Sequence, residues 1–240
     1  MMNYYTLTPS LNNRIVGTYP QVQNVILNCD WENQNFIDNV TFKKTASDPM
    51  VANAIIAKDA HLTDLISCGL TGFSSKLLMS GKLKALIASF RKTGLQFYNT
   101  PVRFHNDFVN DYWVLNPFEL NMEFVDYQKS ATFLMKDVFH IEKELTIESY
   151  DDYLKLKDAL EPKKDVYTIK IENLVLRNDL TEDFFVLEDV EGVVKYYVSD
   201  RLKDVIERSG CCGIEFMPSN LILNEWLRPE GKREKIYGNV

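Results

Sequence analysis

YVSDRLKDVIERSGCCGIEFMP, Tyr197–Pro218, holds a strand, a helix and a second strand in one short run. Its opening residues suit a strand and end at Ser199, whose side chain is of the type that caps a helix by accepting a first-turn N–H. The helical stretch that follows stops at Gly210 and Gly213, where left-handed backbone costs little. Ile214–Met217 then reads as a short strand. The same plan occurs earlier, without a gap and at an offset of 119 residues, in Leu78–Phe97, LMSGKLKALIASFRKTGLQF. Ser80/Ser199, Leu83/Leu202, Lys84/Lys203, Ile87/Ile206, Gly94/Gly213 and Phe97/Phe216 are identical. Lys82/Arg201, Leu86/Val205, Leu95/Ile214 and Gln96/Glu215 are conservative pairs. These are cap, core and glycine-stop positions, so a duplicated strand–helix–strand unit is expected to serve as scaffold rather than as a binding face.

Tyr4–Thr8 and Val22–Cys29 read as strands. Asp48-Pro49 predicts a helix start, with Val51, Ala54 and Ile55 on one helical face. His61 would then follow that helix and complement its dipole. Leu83, Leu86, Ile87 and Phe90 form the core stripe of the first repeated helix. Val102–Phe108, Val109–Leu115 and Leu120–Asp126 predict an antiparallel meander. Ser149 heads a helix over Tyr150–Leu160 that ends at Pro162, and Val166–Arg177 reads as a long strand. Phe184–Leu187 and Val193–Val198 predict a hairpin feeding the second unit, and the charged tail after Trp226 is expected to be peripheral. No linker divides the chain. The expectation is one α+β domain over residues 1–240, mostly antiparallel sheet with packed helices, in pseudo-halves of about 1–135 and 136–240.

The totals narrow the function. Hydrophobic content of 45% and charged content of 25% suit a globular protein, and ten glycines are few for folds that rely on glycine-rich phosphate loops. A formal charge of −7 disfavours nucleic acid and favours a basic partner. No basic-then-apolar signal opens the sequence, and no apolar run is long enough to cross a bilayer. Cys29, Cys68, Cys211 and Cys212 form no CxxC pair, which suits buried thiols in a reducing compartment. A cytoplasmic location is expected.

The motifs of nucleotide binding, zinc proteases and serine hydrolases are missing, and no cofactor or metal is expected. His105 with Asp107 could act as a base with a carboxylate, but no activated nucleophile lies near them in sequence. His140, Glu142 and Glu144 alternate along a strand, which fits a solvated face better than a metal site. Cys211-Cys212 fits a cramped turn better than a redox pair. Two clusters suggest partner binding. Glu182, Asp183, Glu188, Asp189 and Glu191 crowd one hairpin and would make an acidic docking edge or a solubilising turn. Asp107, Asp111 and Trp113 would offer an aromatic anchor flanked by acids; strand alternation turns Tyr112 or Trp113 inward, so only one ring can serve.

A wider pattern joins these pieces. V-S-D-R-L-K-D-V-I-E-(x5)-G-I-E-F-x-P at Val198–Pro218 resembles a bacterial immunity-protein family of polymorphic toxin systems, immunity protein family eleven. The likeness extends to YWVLNPFELNMEFVDYQKS at Tyr112–Ser130, to the strand Tyr4–Thr8 with Pro9 and Gly17, and to [LI]-x-S-x-[KR]-L at Leu78–Leu83. The stretch 149–160 and the Cys211-Cys212 pair depart from the family's pattern. The resemblance implies a cytoplasmic protein that binds a cognate toxin domain and blocks it, with no catalytic residues of its own. The alternatives are an adaptor whose acidic hairpin docks on a basic surface and an enzyme with a site near His105 and Asp107.

Overall fold

The computed structural model describes residues 2–137 and 139–238 and is an α+β fold. The first part of the chain forms β1 (Tyr4–Pro9), α1 (Asn13–Val16), β2 (Val22–Ile26), β3 (Asn53–Ile56), β4 (Leu65–Ile66), β5 (Leu77–Ser80) and α2 (Gly81–Phe90). It continues through β6 (Leu95–Asn99), β7 (Val102–Phe104), β8 (Asp107–Val109), β9 (Tyr112–Pro117), β10 (Ala131–Lys136), β11 (His140–Leu145) and α3 (Tyr150–Leu160). The remainder is β12 (Tyr167–Glu172), β13 (Phe184–Val190), β14 (Val193–Ser199), α4 (Asp200–Arg208), β15 (Ile214–Pro218), α5 (Leu223–Trp226) and α6 (Lys232–Tyr237). The strands make three sheets, ordered β11-β10-β12-β13-β14-β1-β15, β2-β3-β7-β8 and β4-β5-β9-β6. Pairing is antiparallel except at β12–β13 and β3–β7.

The expected duplication is present. Ser80 Oγ accepts from Leu83 N–H at 3.2 Å, and Ser199 Oγ accepts from Leu202 N–H at 3.1 Å. Gly94 and Gly213 both take a φ of 77°, the left-handed turn that the exit to β6 or β15 requires. In each unit the flanking strands are parallel to one another and separated by an antiparallel strand from elsewhere in the chain. That strand is β9 between β5 and β6, and β1 between β14 and β15. Registers align Tyr4 with Tyr112, Tyr5 with Trp113, Leu7 with Leu115 and Pro9 with Pro117, so YYTLTP and YWVLNP are a second repeat.

Order along the chain differs between the units. The central strand of the first unit follows its helix, whereas that of the second lies at the other end of the sequence. Leu83 and Ile87 of α2 meet Leu202 and Ile206 of α4 in one core with Leu7, Leu115, Phe184 and Phe216. Each such side chain contributes about 1.5–3 kcal/mol by leaving water. The opposite face of the first unit is covered by β2, β3 and β7, and that of the second by Met122, Tyr153 and their neighbours.

Several expectations change. Residues 49–56 form no helix. Ala52, Ala54 and Ile56 are buried at period two, and β3 holds the last two of them. His61 therefore follows a turn, with its Nδ1 3.0 Å from Ile15 O. The meander is interrupted, because β7 and β8 pair as a hairpin but β9 crosses to the other sheet, and Met122–Phe124 is a 3-10 turn. The pseudo-halves do not divide at residue 135, since β1 and β10 both belong to the sheet of the second unit.

The tail is not peripheral. Trp226 is buried, and the Arg233 guanidinium donates to Glu215 Oε2 and Oε1 at 2.8 and 2.7 Å inside the protein. Ser10 Oγ and Leu11 N–H also donate to Glu215 Oε1, at 3.0 and 2.8 Å, so the buried charge is fully partnered.

Candidate functional site

Four of the five acids of the 181–191 segment are committed to the fold. Asp183 accepts from Ser199 Oγ at 2.6 Å and from Arg201 Nε at 2.9 Å. Burial opposes its charge, but these bonds outweigh burial and hold its carboxyl below the usual range. Glu188 and Asp189 lie 3.0 and 2.8 Å from Lys157 Nζ and share the Tyr153 hydroxyl. Glu191 contacts Lys195 and accepts Leu223 N–H at 2.8 Å. Glu182 alone of the five stands exposed.

The second cluster divides as strand alternation requires. Tyr112 is buried and donates to Thr63 O at 2.9 Å, while Trp113 is half-buried. The Trp113 ring carries Lys84 Nζ 2.9 Å from its centroid, and its Nε1 donates to Asp111 Oδ1 at 3.2 Å. Asp107 lies apart on exposed β8, beside His105 in the hairpin turn. His140, Glu142 and Glu144 stand exposed along β11. Among the described residues no group of three or more His, Cys, Asp or Glu side chains could hold a metal ion. Cys211 and Cys212 occupy the turn between α4 and β15, where burial raises the Cys211 thiol. No helix among the described residues is long and apolar enough to cross a membrane.

A different site emerges from the repeat. At the same offset of 119 residues, Asp64 matches Asp183 and Lys76 matches Lys195. Asp64 Oδ1 accepts from Ser80 Oγ at 2.6 Å, as Asp183 does from Ser199. Both lysines are buried, at 7% and 8% exposure. These identities were legible, since D-[LF]-[IF] precedes each unit and K-[LY]-[LY]-[MV]-S opens it.

The two units differ at one end of the central strand. In the first, β5 and β9 pair as far as Leu77–Leu115. In the second, β1 and β14 pair only as far as Thr6–Tyr197, and the counterparts Leu7 and Tyr196 are not joined. Each strand is still held by its other neighbour, β1 by β15 and β14 by β13, so the two splay apart. A cavity of about 520 Å³ occupies the cleft, within the size range of ligand pockets. Its walls are Thr6–Pro9 on one side, Val193–Tyr196 on the other, and Tyr19, Pro20, Phe73, Met217 and Leu223 around them.

Two lysines line this largely apolar wall: Lys76, whose ammonium is held by Asp38, and Lys195, which contacts Glu191. Burial pushes the Lys195 ammonium down to about 8, and the contacting Glu191 carboxylate opposes that loss of charge. Cys68, also in the wall, is pushed up to about 11 by burial and is a neutral thiol at pH 7. The cleft thus offers apolar surface, the Asp38-paired Lys76 and the Glu191-paired Lys195, which is chemistry for holding a ligand. No protein-family model matches the chain, and a search of curated proteins gives no match.

Proposed function

We propose that this chain is an immunity protein that binds a cognate bacterial toxin domain in the cytoplasm of the producing cell and neutralises it by occupancy. The observation that carries the binding half of this reading is the open cleft between β1 and β14, set in a rigid scaffold of two matched units. The toxin half draws on the sequence resemblance, whose motifs at Leu78–Leu83, Tyr112–Ser130 and Val198–Pro218 build those units. A rigid frame with a preformed recess lowers the ordering cost of association, which suits tight capture of one partner. The formal charge of −7 would speed encounter with a basic toxin.

The test is co-expression. The toxin domain encoded beside this gene should halt growth when expressed alone and lose toxicity when this chain is present. Unchanged killing, with both proteins soluble and the pair confirmed as cognate, would refute the proposal.

A further inference from the structure

The cleft of the second unit has a filled counterpart in the first. There the segment Asp38–Thr45 lies over the corresponding positions. The Asp38 carboxylate takes Lys76 Nζ at 3.0 Å and Gly72 N–H at 2.6 Å, and Thr41 Oγ1 accepts from the same ammonium at 2.6 Å. Asn116 brackets the main chain, accepting from Phe42 N–H at 3.1 Å and donating to Lys43 O at 3.0 Å. Thr45 Oγ1 meets Tyr98 Oη at 2.6 Å.

The repeat carries each of these positions into the second unit. Lys195 replaces Lys76, Glu191 replaces Gly72, Thr8 replaces Asn116 and Met217 replaces Tyr98. All four replacements line the empty cavity. The first unit therefore holds a length of its own chain, fixed by a carboxylate on the buried lysine, where the second has open space.

We infer that the cavity between β1 and β14 receives an extended segment of a partner protein that brings an aspartate or glutamate carboxylate to Lys195. The inference rests on the binding reading proposed above and specifies the chemistry of the partner. Until the segment arrives, Glu191 stands in. Its backbone has a φ of 53°, in the left-handed region that favours glycine, and glycine is what the first unit has there. One carboxylate oxygen contacts Lys195 and the other accepts Leu223 N–H at 2.8 Å. An arriving carboxylate takes over the lysine while Glu191 keeps the Leu223 amide.

The chain's own segment 36–45 supplies the probe. A synthetic peptide FIDNVTFKKT is titrated into the full chain, and Lys195 is followed by its protection from acetylation, read by mass spectrometry. The peptide should bind and shield Lys195. Replacing its aspartate by asparagine, or Lys195→Met in the protein, should weaken binding by about tenfold or more, the loss of one charge-assisted bond. Glu191→Gln removes the competitor and should tighten binding.

The asparagine peptide is the more cationic of the two, so non-specific attraction to an acidic protein would give the opposite order. The inference is overturned by no binding at millimolar peptide. It is equally overturned by binding indifferent to the peptide aspartate, which would mark a purely apolar site, or by binding unchanged in Lys195→Met. None of these outcomes depends on a toxin, so the co-expression experiment decides the immunity reading separately.

Discussion

Arg233 sits in a run of sequence, RPEGKREKIYGNV, that looks like a solvated tail, yet its side chain is 4% exposed and meets a Glu215 side chain that is 1% exposed. Composition cannot reveal such a pair, because burial of a charge depends on a partner 18 positions away on another element. The first-unit residue that corresponds to Glu215 is Gln96, which brackets Thr45 through its amide, accepting at 2.9 Å and donating at 2.8 Å. Each unit therefore uses this position to tie down a further piece of chain, one with a neutral amide and one with an ion pair. Arg233→Met should cost about 3–5 kcal/mol, since it strands a buried carboxylate. Adding Glu215→Gln should return part of that loss by removing the stranded charge. Urea denaturation of the single and double variants measures both, and additive losses would show that the two side chains are not coupled.

At the scale of elements, the repeated helix units were legible because Ser-cap, apolar stripe and glycine stop all fall in one uninterrupted stretch. The repeat of β1 and β9 was equally written in the sequence, as YYTLTP and YWVLNP, but it lies at an offset of 108 residues rather than 119 and in the opposite order relative to its helix. A scan for one constant spacing passes over it. The cleft was not legible for a related reason. It arises where a ladder ends one pair early, a fact of register, and only the matched Lys76 and Lys195 hinted at it. The helix expected to start at Asp48-Pro49 failed because a short apolar run fits either period. Val51, Ala54 and Ile55 satisfy the helical spacing, while Ala52, Ala54 and Ile56 satisfy the strand spacing that the core selects. The permuted order gives a prediction. Residues at a chain end are commonly dispensable, but β1 is bonded on both sides. Removing residues 1–10 should abolish the cooperative urea transition, and an unchanged midpoint would mean that β1 is not integral to the second unit.

Across the whole molecule, each of the three cores contains buried tyrosine. Tyr4 and Tyr237 are pushed up to about 12 by burial, and burial also raises Tyr112, Tyr127, Tyr153, Tyr196 and Tyr197. A folded pKa above the unfolded value of about 10 means that the unfolded chain sheds protons first as pH rises. The stability contributed by these groups is complete below pH 10 and is lost as pH climbs through their folded values. Alkaline unfolding should therefore be cooperative, with circular dichroism and tyrosinate absorbance changing together above pH 10. Gradual ionisation of all the tyrosines with the fold intact would contradict it. The placement of β1 also has a consequence in time. Tyr4–Pro9 is synthesised before the other strands described, and both of its neighbours are made roughly 190–210 residues later, about 10–40 s at ordinary translation rates. During that interval the complementary slot that forms first is the one between β5 and β6, which the matching strand β9 will fill. A nascent chain therefore passes through a stage in which β1 can enter the wrong unit, and the order of delivery from the ribosome helps decide which of two similar strands each unit keeps.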